Sequence, residues 1–443
     1  MVQAFDLVLI NGKIFTQNKF IQANLGILNG VISEISKNSL DGYETLDCKN
    51  KWIFPGLIDL HVHFRTPGQE YKEDWRTGSL SALAGGITSV MDMPNTIPST
   101  VTAKLLEKKR KLIQKKSLTN YGFHFGLTSN NSKEFAEVKN CVSGKIYFGS
   151  STGDLLVADQ KNQRDVFLNA KKLNKTVFVH AESESGINKN LAQYDNSISD
   201  PSVHSKIRSV KAEVLAVESA LYLQAQTQAK VHFCHISSKS ALDLIQKAKQ
   251  TNSFITCEVT SHHLFLSDQS YKTLNNFAKV NPSLKSKQDI LGLWQGIQLG
   301  IVDTLGTDHA PHTIEEKSQD YSSAPSGMPG LETAFPLLLT ELHKGTVGLD
   351  KIIQLYSENP ARLMNLKNKG FIAQGKDADL IVVDPNFDWT VKNDGLFTKC
   401  KWSAFDGWKL KGKVEQTIVN GNLMFADNQL VGKSLGQELS LKC

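Results

Sequence analysis

Two histidines, His61 and His63, stand one residue apart in the run Pro55-Gly56-Leu57-Ile58-Asp59-Leu60-His61-Val62-His63. On a strand, residues i and i+2 point to one side, so both imidazoles can reach one metal ion. The apolar strand before them gives little reason for two polar rings. Further along, apolar runs stop at single ionisable groups of metal-ligand type: His180 after Thr176-Val177-Phe178-Val179, His235 after Val231-His232-Phe233-Cys234, and Asp308 after Asp303-Thr304-Leu305-Gly306-Thr307. Four histidines and one aspartate suit zinc or a similar divalent ion. Lys145 lies inside another strand pattern, Gly144-Lys145-Ile146-Tyr147-Phe148. It reads either as a snorkelling or surface lysine or as one carboxylated by CO2, whose two oxygens could bridge two metals.

These groups need strand ends that converge. The middle of the chain alternates short apolar strands with helical stretches such as 79–84, 211–226 and 240–249. Candidate strands are 53–63, 87–91, 121–127, 144–148, 177–180, 231–235, 254–259 and 302–307. Eight strands with intervening helices predict an α/β barrel, with a doubly wound open sheet as the structural alternative. In a parallel barrel the C-terminal strand ends form one face, where active sites are built. Both ends of the chain look β-rich, with hairpin signals at Asn11-Gly12, Asn29-Gly30 and Asn420-Gly421 and an apolar strand at 378–384. One small β-domain built from both termini is therefore expected.

The composition is that of an ordinary globular protein: 443 residues, 40% hydrophobic and 21% charged. It excludes a disordered chain, a fibre and a disulfide-rich mini-protein. No apolar run reaches the roughly 18 residues a membrane helix needs. The net charge of +6 is thin for this length, and the basic run 104–116 reads as one solvated helix face, with nucleic-acid binding as the weaker alternative. The six cysteines are scattered, without a CxxC pair, and read as reduced thiols. The N-terminus shows no signal peptide, so a cytoplasmic protein is expected. No P-loop or dinucleotide fingerprint is present, and the Ser/Thr/Gly-rich segment 149–153 reads as a candidate lid.

Taken together, Pro55 to Arg65, Pro67-Gly68 and Lys72-Glu73-Asp74 resemble the cyclic amidohydrolase branch of the amidohydrolase superfamily. Gly85-Gly86-Ile87-Thr88-Ser89-Val90 and Met93-Pro94-Asn95-Thr96 narrow the resemblance to the dihydroorotase family. His180-Ala181-Glu182, His235-Ile236-Ser237, Cys257 to Leu264, Thr307 to His312 and Gly327 to Thr333 agree with it. The resemblance runs from about residue 5 to about residue 425.

It implies a distorted TIM (β/α)8 barrel over 55–365 and a composite β-sandwich domain from 1–54 with 366–443. It also implies two zinc ions: His61, His63 and Asp308 on one, His180 and His235 on the other, with carboxylated Lys145 as the bridge. Other members use an aspartate in the following loop, for which Asp154 is the nearest equivalent here. The implied reaction is the reversible cyclisation of N-carbamoyl-L-aspartate to L-dihydroorotate in pyrimidine biosynthesis, with an activated water attacking the ring amide and Asp308 shuttling the proton. Arg65 would grip the substrate carboxylate, with Asn95 and His312 completing the clamp and Asn281 a weaker candidate for the ring; the alternative for Arg65 is a surface ion pair with Glu70 or Asp74. Glu258, His262 and His263 carry no settled role, and Glu258 could be structural, a partner of a ligand, or an extra ligand. Allantoinase or hydantoinase chemistry, or an inactive scaffold homologue, are the competing functions. The resemblance also allows a homodimer and an aspartate transcarbamoylase partner, and implies no membrane or nucleic-acid partner.

Overall fold

The structure is a computed structural model that describes residues 4–151, 154–194 and 199–441. The candidate lid segment is described only as far as Ser151; Thr152 and Gly153 lie outside the described residues. The architecture is α/β, with three sheets.

The N-terminal part supplies β1 (Phe5–Thr16), β2 (Lys19–Leu28), β3 (Val31–Ser36), β4 (Gly42–Asp47) and β5 (Trp52–Pro55). The next strands are β6 (Leu57–Val62), β7 (Ile87–Asp92) and β8 (Asn120–Phe123), which form a three-stranded parallel sheet. They are followed by β9 (Phe125–Gly126), β10 (Ser143–Tyr147), β11 (Thr176–His180), β12 (Lys230–Phe233), β13 (Ile255–Thr260) and β14 (Thr304–Gly306). These six make a second parallel sheet in sequence order. The last strands are β15 (Leu380–Thr390), β16 (Lys409–Val419), β17 (Asn422–Ala426) and β18 (Gln429–Leu430). They join the first five in a nine-stranded sheet in which β5 pairs with β1 on one side and β15 on the other. The chain ends thus meet in one sheet, as their β-rich patterns predict.

The parallel strands are apolar because both their faces are covered. Every residue of β6, β7, β10 and β11 is buried. The helices between them start at side-chain caps that the sequence supplies: Asp74 before 75–84, Thr102 before 103–113, Ser209 before 210–227 and Ser238 before 239–249. The two parallel sheets are stitched together between β6 and the end of β14. Val62 bridges His309, His63 N donates to His309 O at 2.9 Å, and the Asp59 carboxylate accepts from Thr307 N at 3.2 Å and from its hydroxyl.

Two expectations are corrected. Asn29-Gly30 and Asn420-Gly421 do form two-residue turns with positive φ at both positions. Asn11-Gly12 does not. It is a bulge within β1, where the pairing with β2 shifts register, and Gly12 packs so closely on Ile53 that a side chain there would clash. The turn falls instead at Gln17-Asn18, with φ of 50° and 59°.

The basic run is not wholly a solvated face. Lys109 is buried, pairs with Asp92 at the end of β7 and donates to Met93 O at 3.2 Å, while Asp92 also accepts from Phe64 N at 2.8 Å. Removing one partner of a buried pair leaves an uncompensated charge. Lys109→Met is therefore expected to cost about 3–5 kcal/mol in chemical denaturation, with the double variant Asp92→Asn/Lys109→Met recovering most of it. Equal losses in the single and double variants would count against the pairing as the cause. Among the described residues five cysteines are free, and all are buried. No helix among the described residues is long and apolar enough to cross a membrane.

Candidate active site

The alternation of β6 sends His61 and His63 to the same side, with ring centroids 5.4 Å apart. Their Nε2 atoms face one acceptor, Asp308 Oδ1, at 3.3 Å and 3.0 Å. Each ring is held from behind at Nδ1: His61 by Glu258 Oε1 at 2.8 Å and His63 by Asn95 Oδ1 at 2.7 Å. Such partners fix ring orientation and leave the other nitrogen directed at a common point. Asp308 follows β14, so the seam between the sheets is also where the two sides of this cluster meet.

His180 ends β11 and His235 follows β12. Their rings meet edge to face, with His180 Nδ1 3.0 Å from His235 Nε2. His180 Nε2 faces Glu182 Oε2 at 2.9 Å, and Glu182 is in turn paired with Arg208. His235 Nδ1 is buried with no hydrogen-bond partner. Lys145, on β10, is wholly buried, and its ammonium finds no hydrogen-bond partner either. His61, His63, Lys145, His180, His235 and Asp308 line one pocket, together with Arg65, Asn95 and Asn281.

The electrostatics favour deprotonated ligands. Burial, and next the Lys145 ammonium, lower the pKa of His61 and His235; His180 is also lowered by burial, against the pull of Glu182. Burial would raise the Asp308 carboxyl, yet His61 and His63 beside it hold it well below the usual range. The same contest, won by His61 and His232, keeps Glu258 ionised. Asp59 behaves differently: burial pushes it up to about 8, although it accepts from Thr307 and His61 N.

Arg65 is 2% exposed and does not pair with Glu70 or Asp74. Its Nε donates to Pro311 O at 3.1 Å and its Nη2 lies 3.0 Å from His312 Nε2. Asn281 lies beside His204, Oδ1 to Nε2 3.0 Å. Arg65, His235 and Asp308 all have left-handed backbone, with φ of 58°, 37° and 46°. A non-glycine residue held there costs on the order of 1 kcal/mol or more, and such residues gather where a side chain must be aimed. Asp154 is exposed and does not line the pocket. His262 is buried with Nε2 unpartnered, while His263 bonds to Thr260 and to Pro282 O, tying one loop to another.

Sequence reasoning gave no role to Glu182, Tyr147 or Asp59. Tyr147 was discoverable, since it stands two residues from Lys145 on the same strand and lines the same pocket. Glu182 and Asp59 act on partners far away in sequence, Arg208 and Thr307, which no local pattern displays.

A parallel-strand α/β body that gathers histidines, a lysine and an aspartate at its strand ends defines a class of metal-dependent hydrolase, and residues 52–424 match its family model: the chain belongs to the amidohydrolase family. Its relatives there include the dihydroorotase of Methanosarcina acetivorans, 37% identical over 440 residues, covering 97% of this chain and 94% of the relative. The dihydroorotase of Pyrococcus horikoshii is 36% identical, covering 98% and 95%. Among solved structures, the L-hydantoinase (dihydropyrimidinase) from Arthrobacter aurescens superposes with a TM-score of 0.95 at 26% identity, covering 98% of this chain and all of that one. A D-hydantoinase superposes at 0.91 with 27% identity, covering 98% of each chain.

Proposed function

We propose that this chain catalyses the reversible cyclisation of N-carbamoyl-L-aspartate to L-dihydroorotate and water, as a metal-dependent hydrolase of cyclic amides. The observation that carries the reading is that one pocket holds both a pair of imidazoles aimed at Asp308 and a buried arginine suited to a carboxylate. Full-length dihydroorotase relatives support it. We also take β6 to β14, with β8 and β9 on either side of His124 counted as one strand, as one closed (β/α)8 barrel over 55–365, supported by the seam between β6 and β14, and 1–54 with 366–443 as a composite β-sandwich domain, supported by the shared terminal sheet.

The side chains fit a pair of divalent ions. His61, His63 and Asp308 offer donor atoms within 4.8 Å of one another, and the unpartnered His235 Nδ1 and Lys145 Nζ lie in the same pocket. In this reading His61, His63 and Asp308 would hold one ion and His180 and His235 the other, with Lys145, once carboxylated, serving both; zinc suits such nitrogen and oxygen donors. When bound, the ions supply Lewis-acid polarisation of the ring carbonyl and a lowered pKa for water. Asp308, kept ionised, accepts the proton of the attacking water and returns it to the ring nitrogen as the C–N bond breaks. In ring closure Asp308 takes the proton from the carbamoyl nitrogen and passes it to the departing oxygen. Arg65 donates to the substrate α-carboxylate, with His312 beside it, Asn95 braced through His63 and Asn281 toward the ring.

A hydantoinase reading is favoured by the fold likeness to two hydantoinases. Arg65 separates the two, because a neutral ring has no use for a buried guanidinium. Zinc-loaded protein is expected to open L-dihydroorotate and to leave hydantoin and allantoin largely untouched. In steady-state kinetics Arg65→Met should raise KM for L-dihydroorotate about a hundredfold or more, since a site built for a charged partner loses most when the pair is broken. Turnover of hydantoin that exceeds turnover of L-dihydroorotate would transfer the reading to the other branch. A zinc-loaded chain that opens no ring would leave the scaffold role.

A further inference from the structure

The Lys72-Glu73-Asp74 run has a task that the reaction above does not give it. Lys72 is 5% exposed, and its Nζ lies 2.9 Å from Glu316 Oε1 and 3.2 Å from His312 Nδ1. His312 is fully buried, and its backbone is pinned by Trp402 Nε1, which donates to His312 O at 2.8 Å. On the other side of the ring, Nε2 lies 3.0 Å from Arg65 Nη2 and 3.1 Å from Ser326 O. Glu316 Oε2 stands 3.6 Å from Nδ1.

Each ring nitrogen therefore faces one cation that can only donate and one oxygen that can only accept. A neutral imidazole has one N–H and one lone pair, so two arrangements satisfy it. In the first, Nδ1–H points toward Glu316 Oε2, at 3.6 Å too far for a full hydrogen bond, and Arg65 donates to Nε2. In the second, Nε2–H points toward Ser326 O and Lys72 donates to Nδ1. Burial, and next the Arg65 guanidinium, keep the ring from charging, so the choice is between tautomers. The first arrangement spends Arg65 Nη2 on the ring. A carboxylate that takes Nη2 breaks that bond and needs a second donor beside it.

We propose that Lys72 is a positioning residue that selects the His312 tautomer able to donate to a substrate carboxylate. With Lys72 donating to Nδ1, one proton leaves Nδ1 and one arrives at Nε2. The ring stays neutral, and Nε2–H joins Arg65 as the second donor. Lys72 thereby favours an acidic ring over a neutral one without touching either. The inference rests on the carboxylate-binding role proposed above for Arg65 and His312.

The test is calorimetric binding of orotate and of uracil to the zinc-loaded full chain, with nitrogen-15 chemical shifts of His312 in the orotate complex. Lys72→Met is expected to weaken orotate about tenfold or more and to leave uracil within about twofold, whereas Lys72→Arg, which keeps a donor, stays within about threefold of the parent. The parent complex should show the Nε2–H tautomer and Lys72→Met the Nδ1–H tautomer, a change that loss of packing or of distant charge would not produce. Equal weakening of orotate and uracil, unchanged orotate binding in Lys72→Met, the Nδ1–H tautomer in the parent complex, or no orotate binding by the parent would each overturn the proposal. Orotate binding without turnover of L-dihydroorotate would overturn only the proposed reaction.

Discussion

Lys145→Met is expected to abolish ring opening while leaving the metal-free protein at least as stable as the parent. The lysine is wholly buried with no hydrogen-bond partner, and the Tyr147 ring, 5.2 Å from its nitrogen, offsets the desolvation of the unmodified ammonium only in part. Methionine fills similar volume without a charge. Thermal unfolding of the metal-free variant should show a gain on the order of 1–3 kcal/mol, the usual scale for relieving an unsatisfied buried polar group. The same exchange removes the group that would join the two ions, so kcat should fall about a thousandfold or more, and bound zinc should drop from about two per chain toward one. The two readouts move in opposite directions, which separates a functional lysine from a merely structural one. A variant that unfolds earlier than the parent when metal-free, yet binds about two zinc ions per chain once loaded, would make Lys145 a packing residue and return attention to Asp154.

The second large effect belongs to Asp308→Asn. The amide keeps the shape and one oxygen facing His61 and His63 but removes the anionic charge that those imidazoles stabilise. Loss of a positioned proton acceptor costs about 10²–10⁴ in kcat. Orotate binding should change far less than kcat, because the hydrogen bonds that hold Arg65 and His312 do not involve Asp308. Activity within tenfold of the parent would show that another group moves the proton. A large loss of orotate affinity would instead show that Asp308 matters for assembling the pocket.

Much of the site could be read from the chain because strands have a period of two and end abruptly. His61 and His63, and His180 and His235 at the ends of apolar runs, are visible as polar interruptions whose placement follows from pleat geometry alone. The β-rich ends were legible for a similar reason, since Asn-Gly pairs mark left-handed turns. The failure at Asn11-Gly12 is instructive. The same dipeptide serves a turn or a bulge, and only Ile53, forty residues away, decides which. Lys109 was misread because helical charge patterns do not reveal that one lysine of a basic run faces Asp92. The backing of the site was least legible of all. Glu258 behind His61, Arg208 behind Glu182 and Lys72 behind His312 are contacts between elements. Local periodicity carries no record of them.

The terminal sheet has a consequence for how the molecule is made. β5 lies between β1 and β15, so the edge that β5 presents stays unpaired until a strand more than three hundred residues later has been synthesised. At typical elongation rates that interval is on the order of tens of seconds. During it the nascent protein carries an exposed edge next to the strand that leads into His61. Contacts of such long sequence separation form late. The strands that carry the candidate site can therefore assemble on the ribosome before the sheet that clasps their two ends is complete, and the final strands act as the latch that closes a body already built.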